Sequence, residues 1–238
     1  MTSPEVINCL KGHDLFAGIK EEILNAFVTK AVVKSFSKGK ILYIENDQAE
    51  FFYFIKKGWI KLFNETLDGT EAIIDILTCN HVFGETAIFD NGLYTSSAEV
   101  VEDTVLVLIP TSVLKENLER DKTFIANMFA AMSKHRKCQE REIEHLTIQN
   151  APQRVGCFIL RLCPKEKAKN IILQLPYDKL LLASRLGMKP ETFSRALNKL
   201  RDETGIRISG ARIEIDNINQ LSNFSCSACS SSYPCEDI

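Results

Sequence analysis

From Lys122 to Gln149 the chain runs for 28 residues without a glycine or a proline, and its apolar residues recur at helical spacing. Ile125, Phe129, Met132, Ile143 and Leu146 share one 4,3,4,3 register, which Arg136 and Gln139 interrupt. A helix of that length extends about 42 Å, too far for a small domain to cover. Its apolar stripe needs a second surface, either the protein's own β domain or the same helix of another copy in a coiled-coil-like pair. We expect the homodimer. The polar interruption keeps such a seam from locking into one register and leaves two arrangements that a ligand can bias.

The remaining length, 238 residues in all, leaves room for one large domain or two modest ones. A 45% hydrophobic and 25% charged composition excludes a disordered chain. Apolar stretches such as Val105–Ile109 are strand-length, far short of the ~20 residues that cross a bilayer. The first thirty residues hold no signal-type apolar core, so a cytoplasmic protein with no membrane partner is expected.

Between residues 31 and 110, short apolar or alternating runs are punctuated by turn residues. Ile41–Ile44 precedes Glu-Asn-Asp, Phe51–Ile55 ends at Lys56-Lys57-Gly58, and Trp59–Phe63 ends near the hairpin signal Asp68-Gly69. Ile73–Leu77, Val82-Phe83-Gly84, a loop at Asp90-Asn91-Gly92, Ala98–Val101 and Val105–Ile109 follow. That spacing indicates an antiparallel sandwich or barrel. After Pro110, Thr111-Ser112 reads as the N-cap of a short helix ending near Glu119.

Charge divides the chain. Residues 151–216 carry 13 Lys and Arg against 7 Asp and Glu, whereas residues 1–150 carry 16 against 22. A basic segment following an acidic one suggests that the later part meets a polyanion. Within it, a helix at 152–163 and a short strand and turn at Leu173–Pro176 precede two helices, 176–186 and 190–202, joined by Leu186-Gly187-Met188-Lys189. The tight glycine-containing link is that of a helix-turn-helix, and Ile206–Ile215, alternating about Ser209-Gly210, reads as a β-hairpin wing.

On the second of these helices Phe193, Ala196, Leu197 and Leu200 share one side, and Glu191, Ser194, Arg195, Asn198 and Asp202 the other. Outward residues near the start of a recognition helix read base edges. Arg195 can fork onto guanine, Glu191 can accept from cytosine N4, and Ser194 can contact thymine. Lys189 and Thr192 are expected on backbone phosphate. The plainer alternative is a solvated face with an i,i+4 pair of Glu191 and Arg195.

A β-roll with the loop Gly84-Glu85-Thr86-Ala87-Ile88-Phe89, a long helix and a winged helix-turn-helix together resemble the Crp/Fnr family of bacterial transcription regulators. Pro190-Glu191-Thr192-Phe193-Ser194-Arg195 is similar to the Fnr-class reading motif, which implies palindromes with TTGA-type half-sites. The likeness extends over about residues 8–220, from His13-Asp14-Leu15-Phe16 through Glu144-His145-Leu146 to the wing, and is nearest to the Dnr branch of nitrate-respiration and nitric-oxide regulators. It implies an α+β chain. Residues 1–110 form an antiparallel β-roll (a double-stranded β-helix of the cyclic-nucleotide-binding kind), 111–150 a dimerisation helix region, 151–220 the winged helix-turn-helix, and 221–238 a cysteine-rich tail. The partners implied are double-stranded DNA, a second copy of the chain and RNA polymerase.

Cyclic-nucleotide-binding members follow the Gly-Glu loop with an Arg-Ser/Thr pair whose Arg neutralises the phosphate. Here the later position is Tyr94-Thr95-Ser96-Ser97, with no Arg between residues 85 and 110. A buried phosphate without a cation is costly, so cyclic AMP is not the expected effector. Likeness to Dnr regulators implies haem sensing nitric oxide, with His13 the residue carried over. His81, His135 and His145 show no ligand spacing. A cupin-type metalloenzyme would need clustered histidines, which the sequence lacks, and a regulatory binding module for a partner enzyme would have no use for the reading helix and wing. No enzyme is expected.

Eight cysteines in a chain this long do not read as a disulfide framework. Cys226, Cys229 and Cys235 spell Cys-x2-Cys-x5-Cys on a Ser-rich segment expected to be flexible. Fnr proteins use a similar triplet, at the N-terminus, for an iron–sulfur cluster, and some relatives carry one at the C-terminus. A [4Fe–4S] cluster normally takes four ligands. The fourth could be Cys138, Cys79 or a carboxylate. Zinc suits tetrahedral thiolates equally.

Overall fold

A computed structural model describes residues 3–164, 170–176, 178–230 and 233–235. It divides into two compact units, Met1–Ser133 and Lys134–Ile238.

In the first unit, helices α1 (Ser3–Lys11) and α2 (Glu21–Lys30) lead into an antiparallel sheet. Its strands are β1 (Val32–Phe36), β2 (Ile41–Tyr43), β3 (Phe51–Glu65), β4 (Glu71–Leu77), β5 (Val82–Phe83) and β6 (Ser97–Pro110). The order is β1-β6-β3-β4, with β2 on β6 and β5 on β3. The expected terminator Lys56-Lys57-Gly58 does not end a strand. It is an irregularity inside β3, which pairs with β6 from Phe51↔Pro110 to Phe63↔Ser97, and the two runs expected at 98–101 and 105–109 are likewise one strand. Gly58 makes this continuity possible. At φ 101°, any Cβ there would lie 2.2 Å from Thr104 Oγ1, the hydroxyl that accepts from Trp59 N at 3.2 Å.

Helix α3 (Thr111–Leu118) follows. Thr111 does not cap it as expected, because its hydroxyl donates instead to Ala49 O at 2.6 Å and ties the helix to the roll. Helix α4 (Lys122–Ile148) starts on Asp121, whose Oδ1 accepts from Thr123 N and Phe124 N at 2.8 and 3.1 Å. Phe124 and Met128 are fully buried in a core that also contains Leu10, Phe16, Phe27, Phe52 and Ile109. This end of α4 is therefore covered by its own domain. Further along the expected stripe the residues are not: Ile125 is half-buried, but Phe129 is 64% exposed and Met132 also lies open.

The second unit holds the end of α4 and α5 (Ala151–Leu162), joined at Asn150 by a reciprocal capping box. Gln153 N donates to Asn150 Oδ1 at 3.1 Å and Asn150 N to Gln153 Oε1 at 3.0 Å. Then come β7 (Ile171–Gln174), α6 (Lys179–Arg185), α7 (Pro190–Thr204), β8 (Arg207–Ser209), β9 (Arg212–Ile215) and α8 (Ile218–Ser225). The strands form a sheet in the order β7-β9-β8. The segment expected to be a flexible tail opens in α8, which buries Leu221 and Ser225 completely and continues as a 3-10 turn over Cys226–Ala228.

Candidate nucleic-acid interface and thiol cluster

Helix α6 is capped by Asp178, whose Oδ1 accepts from Leu180 N and Leu181 N at 2.9 and 3.2 Å. Gly187 takes φ 62° in the link to α7, and Pro190 opens α7 behind Lys189. Phe193, Ala196, Leu197 and Leu200 are buried, which leaves Glu191, Arg195 and Asn198 exposed and Thr192 and Ser194 half-exposed. Among the described residues no ion pair joins Glu191 to Arg195, so both heads are available to a partner. The wing is charge-balanced, since Arg207 bonds both Glu214 and Asp216. Those bonds hold both carboxyls below the usual carboxylate range. Arg161 and Arg185 both bind Glu142 and serve the unit's interior.

The tail packs back onto α4 and α5. Gln149 Nε2 donates to Ser225 O at 3.3 Å, Gln153 Nε2 to Ser227 Oγ at 2.9 Å, and Ser230 N to Glu144 Oε1 at 2.9 Å. Gly156 lets α8 come close, because a Cβ there would meet Ser225 Oγ at 2.0 Å and Leu200 Cδ1 at 3.1 Å. One residue further on, Cys157 is buried, and burial pushes its thiol up to about 12, with Cys226, Cys235 and Cys229 adding to the shift. His145, at the end of α4, stands between two sulfurs: Nδ1 is 3.7 Å from Cys157 Sγ and Nε2 3.4 Å from Cys229 Sγ. Burial lowers the imidazole's pKa and favours the neutral ring.

The sequence gives neither Cys157 nor His145 a ligand spacing, and the contact between them comes from the fold. Cys79 belongs to the first unit, and Cys138 lies on α4 seven residues before His145. Among the described residues no three His, Cys, Asp or Glu side chains stand at metal-ligand spacing.

In the first unit, Gly84 (φ 81°) leads the loop that carries Glu85. The open pocket beside it, about 360 Å³, is lined by Tyr43, Tyr53, Tyr94 and Glu50, with Lys34 and Lys40 also on its wall. Tyr94 stacks on Tyr43 with ring centroids 3.5 Å apart and nearly parallel planes, and its hydroxyl donates to Phe51 O. His13 caps the 3-10 turn Asp14–Phe16, its Nδ1 accepting from Leu15 N at 3.1 Å, with its ring edge-on to Phe54. That gives His13 a structural task in the core of the roll.

A β-roll sensor joined to a helix-turn-helix by a long helix is the architecture of a DNA-binding transcription regulator. Residues 33–121 match the cyclic nucleotide-binding domain family and residues 153–224 the Crp-like helix-turn-helix domain. The crystal structure of a Ruegeria pomeroyi protein, provisionally described as cyclic-nucleotide-binding, is 31% identical and covers 94% of this chain and 99% of its own, with a TM-score of 0.72. The cyclic AMP receptor protein of Thermus thermophilus is 25% identical over 87% of this chain and 94% of its own length. The fumarate and nitrate reduction regulatory protein of Escherichia coli is 26% identical over 79% of this chain and 76% of its own. The chain belongs to the Crp/Fnr family and is a transcription regulator, not an enzyme. No helix among the described residues is long and apolar enough to cross a membrane.

Proposed function

We propose that the protein is a homodimeric Fnr/Dnr-type regulator that reads a TTGA-type palindrome with α7. In this reading it responds to a redox signal through an iron–sulfur centre on Cys226, Cys229 and Cys235. The observation that carries the proposal is the docking of the Cys-x2-Cys-x5-Cys tail onto α4 and α5, which sets Cys229 Sγ 3.4 Å from His145 Nε2. The residue types, three thiols and an imidazole, suit such a group, while among the described residues no three of them stand at metal-ligand spacing. When bound, such a centre supplies a metal–thiolate site whose charge state depends on redox conditions. Glu191, Ser194 and Arg195 supply the base-edge groups, Lys189 and Thr192 the phosphate contacts, and Asn198 the next outward turn. The exposed residues Phe129, Met132, Ile143 and Leu146 on α4 favour pairing with a second copy. Against a cyclic nucleotide stands the stacked Tyr94, with no arginine on the segment after the loop.

Purification without oxygen, followed by iron and sulfide analysis, a visible spectrum and gel shifts on a TTGA palindrome, tests this directly. We expect iron and inorganic sulfide, a broad band bleached by air and lost in Cys229→Ser, and operator binding that changes on exposure to air. Colourless protein with stoichiometric zinc, a Soret band lost in His13→Ala, or tight binding of cyclic AMP each refutes it.

A further inference from the structure

Cys226 and Cys229 occupy the two ends of one turn. The 3-10 segment Cys226–Ala228 closes with Cys229 N donating to Cys226 O at 3.1 Å. A turn closed in this way holds its end Cα atoms less than about 7 Å apart, and a 3-10 turn sets the side chains at i and i+3 on one side. A disulfide needs Cα atoms about 4.4–6.8 Å apart and Cβ vectors that do not diverge. We infer that Cys226 and Cys229 form a redox-active dithiol, which in the metal-free chain closes to an intrachain disulfide by exchange with a low-molecular-weight disulfide. The pair needs no metal. It goes beyond the iron–sulfur reading, which draws on the same sulfurs, and holds for the chain without the centre.

Three features of the surroundings support the pair. Cys226 and Cys229 are half-buried, open enough for a small disulfide to reach, whereas Cys157, Cys163 and Cys235 are buried. The turn is also seated before any bond forms. Gln153 Nε2 donates to Ser227 Oγ, inside the turn, at 2.9 Å, and Gln149 Nε2 to Ser225 O, just ahead of it, at 3.3 Å. The backbone ordering that a closed ring demands is therefore already made. The third feature is a destination for the proton. His145 Nε2 lies 3.4 Å from Cys229 Sγ, and Cys157 Sγ stands 3.7 Å from Nδ1 on the ring's other edge. As Cys229 Sγ attacks the small disulfide, that S–S bond breaks, a bond from Cys229 to one of its sulfurs forms, and the other sulfur leaves with the electron pair. The imidazole takes the Cys229 proton and returns it to the leaving thiolate. Cys226 Sγ then attacks Cys229 Sγ, and its proton goes with the second small thiol. The protein gives up two electrons and two protons, and the small disulfide becomes two thiols.

The test uses the full-length chain, stripped of metal with a chelator and reduced with a phosphine. It is exposed without oxygen to oxidised glutathione, blocked with an alkylating agent and cleaved with trypsin for mass spectrometry. The fragment after Arg212 contains Cys226, Cys229 and Cys235 and no other cysteine. We expect it to lose two hydrogens in the parent and in Cys235→Ser, and to carry a lasting mixed disulfide on Cys229 in Cys226→Ser. Adding His145→Ala to Cys226→Ser should slow formation of that mixed disulfide about tenfold, with circular dichroism checking that the variant is folded. An unchanged rate in the folded variant overturns the part given to the imidazole. A parent fragment whose three thiols all remain alkylated overturns the dithiol. So does an internal bond that is lost from Cys235→Ser, or a bond found to Cys157. Iron and sulfide in the parent purified without oxygen are measured separately. Their absence overturns the iron–sulfur reading and leaves the disulfide standing, whereas a parent that holds them but forms no disulfide once stripped overturns only the dithiol.

Discussion

Gly156 sits where α5, α7 and α8 meet, and a methyl group there has a calculable cost. A Cβ at 156 lies 2.0 Å from Ser225 Oγ and 3.1 Å from Leu200 Cδ1 and Ser225 Cβ, so the neighbours must shift. Overpacking costs about 1–3 kcal/mol, and a 2.0 Å approach belongs to its upper part, about 2–3 kcal/mol; the better helix propensity of alanine returns about 1 kcal/mol. Gly156→Ala should therefore destabilise the second unit by about 1–2 kcal/mol, a factor of roughly 5–30 in local opening. Ser225 supplies the internal control, because its Oγ is buried without a hydrogen-bond partner and also makes the shortest clash. Ser225→Ala alone should be neutral or stabilising by about 1 kcal/mol. In that background Gly156→Ala should cost roughly nothing, giving a coupling of about 1–2 kcal/mol, within the range seen for residues in contact. Amide hydrogen exchange in α5 and α8 of the metal-free full chain reads all four corners of the cycle. The single tryptophan, Trp59, is in the other unit, so its fluorescence is the wrong probe. An additive cycle, or a Gly156→Ala as stable as the parent, refutes this account of how α8 is seated.

Arg195→Ala should weaken operator binding by roughly 1–3 kcal/mol per half-site and relax the preference at one G·C pair; unchanged discrimination among substituted operators in a gel shift counts against Arg195 as the guanine reader. Ile143→Glu, at a site 64% exposed in the single chain, should raise the dimer dissociation constant by more than roughly 100-fold in sedimentation, since it buries an unpaired charge in the proposed seam. Asp121→Ala should cost about 1 kcal/mol of stability as a lost cap. The Asp121 carboxyl is held below its usual range by hydrogen bonds from Phe124, Lys20 and Thr123. In the parent its contribution is therefore complete above the unfolded carboxylate range, near pH 4, and fades as pH falls further; acid titrations of parent and variant should converge below that point.

The helix-turn-helix was legible because its signals are local. Gly187 marks the link, Pro190 the start of α7, and the burial of Phe193, Ala196, Leu197 and Leu200 follows from spacing alone. The two long strands were harder. Gly58 looks like a terminator when β3 is considered by itself, and only its pairing with Thr104, 46 residues away in sequence, makes it a kink within a continuous strand. Thr111 was misread for a similar reason, since a good capping residue gave its hydroxyl to a distant carbonyl. The thiol cluster was only half legible. The tail triplet is a spacing and can be seen in the sequence. His145 meets Cys229, and Cys157 meets His145, only because the chain turns at Asn150 and α8 folds back over Gly156, and neither event leaves a periodic trace. The polar character of Asn219, Gln220 and Asn223 also disguised α8, which buries Leu221 and seats Ser225 over Gly156 of α5.

Helix α5 has the tail on one flank and α7 on the other, and Gly156 faces both Leu200 and Ser225. Coupling across such a layer is reciprocal by thermodynamic necessity. If filling the thiol site changes operator affinity by some factor, operator binding changes the retention of the site's metal by the same factor. Molecules on DNA and molecules in free solution then form two pools of sensor with different thresholds for the same signal. A strong operator holds its regulator in one state longer than a weak operator does, so promoters that share this protein can respond in sequence to a single gradual change.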